Sequence, residues 1–409
     1  MSAVKIIFAS LFLYVLMWMV APLRIVYYPS TLSLILILSM FIAMFLGAAS
    51  YGLAKDVNYK SHYLDERFIL SVENKVFKII LLMALVGLLF RVIDKVLIRD
   101  ILSYDSAVGR RDSETQASIF GVISAPLYSL LLTLPIFLRQ VQGRLRRFLL
   151  FFLFFIPSME VVFMGSRGLA VTSLFMFCIY FITMFRVRGR HLVIGVLFAV
   201  LFLCGSGLVF LERIESYGLE PLYSAYNSVY AFTLTPDSWA SGVIGKNGLA
   251  SFVFFIIVNF LQYFLHGILE FSYLIDHFGS FVYQDGAYTF RVLGKLFGSS
   301  ADYVEMTPRA GIYTTFLGPL WVDFGVFSLV FCFLWGWGLA FSSNKVNAGL
   351  FQYLPLYAYM GAVAFFSPVV NLIQNALGVY VLSACIGTIF LFWLCGVLLR
   401  RRRIGQDFC

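Results

Sequence analysis

Stretches of about 18 or more apolar residues recur along this chain and constrain it more than any other feature. Wound as an α-helix, such a stretch matches the ~30 Å hydrocarbon core of a bilayer. They fall near 4–21, 31–53, 76–93, 119–138, 148–164, 168–185, 192–210, 317–341, 350–369 and 377–399. With 61% hydrophobic and 12% charged residues, the composition excludes an ordinary soluble domain. The reading is an all-α polytopic membrane protein, a single transmembrane domain over residues 1–409, with about ten crossing helices. The first stretch leads through APLRIVYYPS directly into the second, the pattern of a retained anchor rather than a cleaved signal peptide.

Charge sets the orientation. Ten crossings put both termini on one side. The loops of that side hold 18 of the 30 Lys and Arg residues but five of the 21 acids, so the positive-inside rule makes it cytoplasmic. The net charge of +9 is then a topology signal, with basic loops against anionic headgroups, and needs no nucleic acid. The outer side carries a small loop, 94–118, and a large one, 211–316. Within the large loop, residues 249–275 (LASFVFFIIVNFLQYFLHGILEFSYLI) are long enough to cross. A single crossing there would put the RRRR run at 400–403 outside. The segment is read as a re-entrant hairpin, a helix lying at the outer face, or a pair of short crossings.

Sites for common chemistries are missing. None of the six cysteines falls in an outer loop, so no disulfide framework is implied. There is no Cys/His metal spacing, Walker glycine loop, GxSxG or HExxH, and no metal or cofactor is expected.

Two patterns carry chemistry. The first is VVFMGSRGLAV (161–171), the tight outer turn between the fifth and sixth crossings. Ser166 is suited to cap the following helix, whose free N–H groups favour anions, and Arg167 adds a fixed fork of donors for phosphate oxygens. The bland reading is an arginine that snorkels or pairs with Glu160. Arg309, in TPRAGIYTTFLG, repeats the pattern of arginine and glycine before a helix start, and Arg213 and Arg291 are further outer-side cations. Arginine that violates the charge bias is costly, which favours a functional reason. The second pattern is Asn259, Gln262, His266 and Glu270, spaced three, four and four apart and therefore on one helical face. A His–Glu pair at that spacing suits a general base with its orienting carboxylate, while the plain alternative is an interfacial helix with a wet side. Asp323, inside the eighth crossing, is either catalytic or a helix-pairing residue.

The order of GSRG (165–168), LYSAYN (222–227), HGILEF (266–271) and GIYTTFLGPLWVDFG (311–325) resembles the Wzy-type oligosaccharide repeat-unit polymerases of O-antigen and capsule assembly. The resemblance covers most of the chain. It implies a GT-C-like architecture akin to O-antigen ligases, an inner-membrane location with the site facing the periplasm, and metal-independent transfer from undecaprenyl-diphosphate-linked sugars. It also implies donor and acceptor lipid-linked oligosaccharides as partners, and a chain-length regulator (a polysaccharide co-polymerase). In such an enzyme Arg167, Arg309, Arg291 and Arg213 would hold the diphosphate. The base would come from His266, Glu270, Glu305, Asp302 or Asp323. Tyr223, Tyr226 and Tyr313 would pack against sugars, as would Tyr230, Trp239, Tyr283 and Tyr288. The rival functions are transport, as a flippase for the same lipid-linked oligosaccharides or an exporter, the O-antigen ligase itself, and a non-enzymatic assembly factor. No internal repeat of the kind usual in transporters is visible.

Overall fold

The computed structural model describes residues 2–53, 66–104, 118–163, 168–185, 218–246, 248–277, 286–290, 315–374 and 377–406, with Gly205, Gly207, Leu211, Ile214, Arg309 and Ile312 besides. Among these residues seven helices are long and apolar enough to cross a membrane, and a two-stranded ribbon is the one sheet. The chain is an all-helical membrane protein. It passes alternately through two compact units, one made of 1–49, 185–337 and 363–374, the other of 50–184, 338–362 and 375–409.

The first two helices are α1 (Ala3–Val20) and α2 (Thr31–Leu53), joined through strand β1 (Leu23–Ile25). Ser30 starts α2 by accepting from the Ser33 N–H at 3.1 Å.

The second unit then takes over with α3 (Glu66–Val92), which ends in a π-helical turn, Ile93–Ile98. Next is α4 (Ile119–Ser129), capped by the Ser118 hydroxyl on the Gly121 N–H at 3.0 Å. It continues as a 3-10 helix, Leu130–Arg139, that contains Pro135. Proline has no N–H to offer the carbonyl three residues earlier in such a winding. That carbonyl, Leu132 O, instead accepts from the Tyr180 hydroxyl at 2.9 Å. The donor comes from α6 (Gly168–Met184), which follows α5 (Arg144–Phe163). Polar contacts mark the two ends of this unit. Glu73 meets Gln140, and Arg139 reaches Met184 O and stands over the Phe351 ring, at one end. At the other end Arg91 pairs with Glu160 at 2.7 Å and Asp94 with Arg99 at 3.0 Å.

In the first unit, α7 (Pro221–Tyr226), a 3-10 turn at Val229–Phe232, strand β2 (Leu234–Pro236) and α8 (Ser238–Ile244) form a compact segment, 221–244. Strand β2 pairs antiparallel with β1, Ile25 opposite Leu234. Next comes α9 (Leu249–His277), an unbroken helix of 29 residues. It replaces the hairpin and the paired short crossings that were among the expectations for 249–275. No proline interrupts it, and its lone interior glycine, Gly267, serves packing: a methyl there would meet the Val369 carbonyl at 2.6 Å.

The expected eighth crossing starts as α10 (Leu317–Phe324), tightens into a 3-10 turn at Gly325–Phe327, and continues as α11 (Ser328–Asn347). A methyl on Gly47 of α2 would overlap the Phe333 carbonyl of α11, and one on Gly336 the Met44 carbonyl, so these backbones touch. The expected crossing at 350–369 differs. Its helix, α12 (Leu354–Phe365), has 12 residues and spans roughly 18 Å, well short of the ~30 Å core. Pro368 disfavours helical Ser367, and Asn371 turns the chain by accepting from the N–H groups of Ile373 and Gln374. Residues 367–373 are nonetheless buried. The last helix is α13 (Gly378–Gln406). The stretch 192–210, expected to cross, lies outside the described residues except for Gly205 and Gly207.

Candidate functional site

The polar face of α9 is turned inward. Gln262 and His266 are fully buried, and Glu270 is 2% exposed. The 221–244 segment lies across them. The Gln262 amide donates to Ala225 O at 3.1 Å and to Leu234 O at 3.4 Å. The Tyr230 ring stacks on His266 with centroids 4.0 Å apart and planes 18° apart, and Tyr263 meets the imidazole edge-on at 5.8 Å. Asn259 turns back onto its own helix, donating to Phe255 O at 2.9 Å.

Arg309 closes the arrangement. Its Nη2 stands 3.2 Å from the Glu270 carboxylate and also donates to Val229 O, while the guanidinium lies over Phe232 at 4.4 Å. The Thr233 hydroxyl reaches the same carboxylate oxygen at 3.4 Å. The i,i+4 spacing pointed to Glu270 as the orienter of His266. In the fold Glu270 turns to Arg309, because a buried carboxylate gains more from a cation than from a neutral ring. The stacked tyrosine holds the imidazole instead. Arg309 was also expected beside a helix start, yet α10 begins at Leu317, eight residues on, and the guanidinium folds back onto α9.

Several polar atoms here are buried without a partner among the described residues: both His266 ring nitrogens, Gln262 Oε1, Arg309 Nη1 and Ser228 Oγ. A buried polar group normally finds a partner, and one left alone costs about 1–3 kcal/mol. An unbonded imidazole can take a proton, and an unbonded guanidinium edge can bind an anionic oxygen. The assembly also sits on a strained support. Thr315 has φ 75°, rare for a β-branched residue, and a methyl on Gly267 would stand 3.2 Å from its Cγ2.

The other expected residues divide into two groups. Asp323 is buried and accepts from the N–H groups of Tyr288 at 2.9 Å and Thr289 at 2.6 Å, so its carboxylate pins the 286–290 turn. Tyr223 is exposed on α7 and Tyr226 half-buried. Glu160, the proposed pair for Arg167, is bound to Arg91. Arg167, Arg213, Arg291, Asp302, Glu305, Tyr313 and Tyr283 lie outside the described residues. Sequence reading missed Val229, Phe232 and Thr233 as partners. Nothing in their local pattern separates them from an ordinary loop, and they meet α9 only through the fold. Among the described residues no group of three or more His, Cys, Asp or Glu could hold a metal ion.

No protein-family model matches the chain, and no similar curated protein or solved structure was found.

Proposed function

We propose that the chain is a membrane glycosyltransferase of the repeat-unit polymerase type. In this reading it transfers a growing glycan from undecaprenyl diphosphate to a sugar hydroxyl of the next lipid-linked repeat, at the periplasmic face of the bacterial inner membrane. The observation that carries it is the buried group of His266, Glu270 and Arg309 with unbonded imidazole nitrogens and an unbonded guanidinium edge. The acceptor oxygen bonds to the anomeric carbon, and the bond from that carbon to the diphosphate oxygen breaks. The acceptor proton passes to His266, which is uncharged at neutral pH in its ordinary state. Arg309 offsets the charge developing on the diphosphate, and Glu270 holds Arg309 in position. Arg167, Arg213 and Arg291 are further diphosphate ligands in this scheme, and Tyr223, Tyr226 and Tyr313 pack against sugars. Glu305, Asp302 and Asp323 are the reserve candidates for the base.

One feature favours a flippase for the same lipids. A half-helix followed by irregular buried backbone, α12 and residues 366–374, resembles the interrupted helices that line transport pathways. One assay separates the two. Purified protein in proteoliposomes is given a short lipid-linked repeat, and both glycan length and leaflet are followed. The polymerase reading expects longer glycan, slowed in His266→Ala by a factor on the order of 10²–10⁴ with donor affinity nearly kept. A change of leaflet with no longer glycan would establish transport instead.

A further inference from the structure

The turn at 228–233 touches His266 and Glu270 of the α9 face and Arg309 beside it, while Gln262 is held by Ala225 and Leu234 on either side of the turn. Tyr230 covers His266, Thr233 bonds Glu270, and Arg309 reaches both Val229 O and the Phe232 ring. Its far side is open, with Val229 60% and Phe232 44% exposed. The Tyr230 ring, stacked at 4.0 Å, is what covers the imidazole on the side of the turn. Besides any bonds inside the 3-10 helix, the backbone of the turn is held by Ala231 N–H to Ser228 O and Thr233 N–H to Tyr230 O, both at 2.9 Å, and by Val26 N–H to Thr233 O at 3.1 Å. The closed state also leaves buried atoms unpaired on both sides: Ser228 Oγ in the turn, Gln262 Oε1 and the His266 nitrogens in α9, and Nη1 of Arg309. Opening loses ring contacts, yet it wets those atoms. A ligand that bonds them would favour the open state further.

We infer that residues 228–233 form a hinged cover that must lift before a ligand reaches His266. The unpaired atoms define what lifts it. Arg309 Nη1 asks for an anionic oxygen, Gln262 Oε1 for a hydroxyl or amide donor, and a neutral imidazole offers one donor and one acceptor. A group carrying both phosphate and hydroxyls meets all three, which is the chemistry of a sugar diphosphate. This deepens the transferase reading and rests on it for the ligand, but the motion of the cover is testable without any ligand.

The test locks the cover. Phe232 and Tyr273 meet edge to face at 4.9 Å between ring centroids, so cysteines placed at both positions are to be bridged by a short bis-maleimide that spans the gap the two rings leave. The full-length protein in proteoliposomes is treated with diethyl pyrocarbonate, and carbethoxylation of each histidine is followed by mass spectrometry. Bridging is expected to slow labelling of His266 by roughly tenfold or more, while the exposed His277 is labelled as before. Equal rates at His266 before and after bridging would overturn the inference. If the cysteines do not bridge, Tyr230→Ala decides: it uncovers the ring and should speed labelling roughly tenfold, and an unchanged rate overturns the cover. Glycan extension tells the two readings apart. Extension that survives bridging refutes the cover. Bridging that slows labelling in a protein with no extension activity in either form supports the cover and refutes the transferase.

Discussion

Glu270 and Arg309 depend on each other. Removing one partner of a buried pair leaves an uncompensated charge, at a cost of about 3–5 kcal/mol. Arg309→Ala should therefore lower the unfolding midpoint sharply and abolish extension. Adding Glu270→Gln to it should recover most of the stability and none of the activity. A double variant as unstable as Arg309→Ala alone would mean that the guanidinium acts through Val229 and Phe232 rather than Glu270. Tyr27, in the α1–α2 connection, offers a pH test. Burial and then its bond to Asp276 push its phenol above the ordinary 10.0. A raised folded value means that this stabilisation is complete below pH 10 and is lost as pH rises above it. Thermal midpoints of the wild type should exceed those of Tyr27→Phe by a constant margin up to that pH, and the margin should narrow beyond it. The helical spacing made His266 and Glu270 legible as one face. It could not reveal that Glu270 belongs to Thr233, 37 residues away, since that contact depends on how the 221–244 segment lies across α9.

At the scale of elements, the long helices were legible because apolar length dictates them. The exceptions have specific causes. Pro368 and Asn371 end α12 early, and the apolar run of 350–369 conceals this because irregular backbone buried in protein is as apolar in sequence as a crossing helix. The absence of proline between Leu249 and His277 was the available signal against a hairpin. Helix pairing was not legible at all, since glycines occur in most of the helices and few of them matter. Gly47 and Gly336 do, because each faces a carbonyl of the neighbouring helix. Gly47→Leu and Gly336→Leu should each cost about 1–3 kcal/mol or more and reduce the yield of folded protein. Gly387→Ala, whose added methyl meets nothing within 4 Å, should cost nothing in the same unfolding assay in detergent.

For the whole molecule, the contacts inside the second unit fall into two groups. Arg139, Gln140 and Phe351 gather with Glu73, while Arg91 and Asp94 gather with Glu160 and Ser118. Arg139 stands in one connection with Arg144, Arg146 and Arg147, and these four are the reason to expect the first group on the cytoplasmic side. Reporter fusions after residues 240 and 403 should read outside and inside respectively; because α12 falls short of the core, that pair of readings would make α9 a true crossing, and an outside reading at 403 would leave α9 at the outer face. The ordering of the two units along the chain carries a further consequence, in time. Ser10 of α1 donates to the carbonyl of Phe365, 355 residues later. At about 5–20 residues per second a ribosome needs roughly 20–70 s to supply that acceptor. α1 thus meets α9 first, through the Tyr14 hydroxyl on Leu265 O at 2.8 Å, and completes its surroundings about a hundred residues later. A chain arrested near residue 360 would lack the last piece of both units, and quality-control proteases should treat it as unfolded, however many of its helices are already inserted.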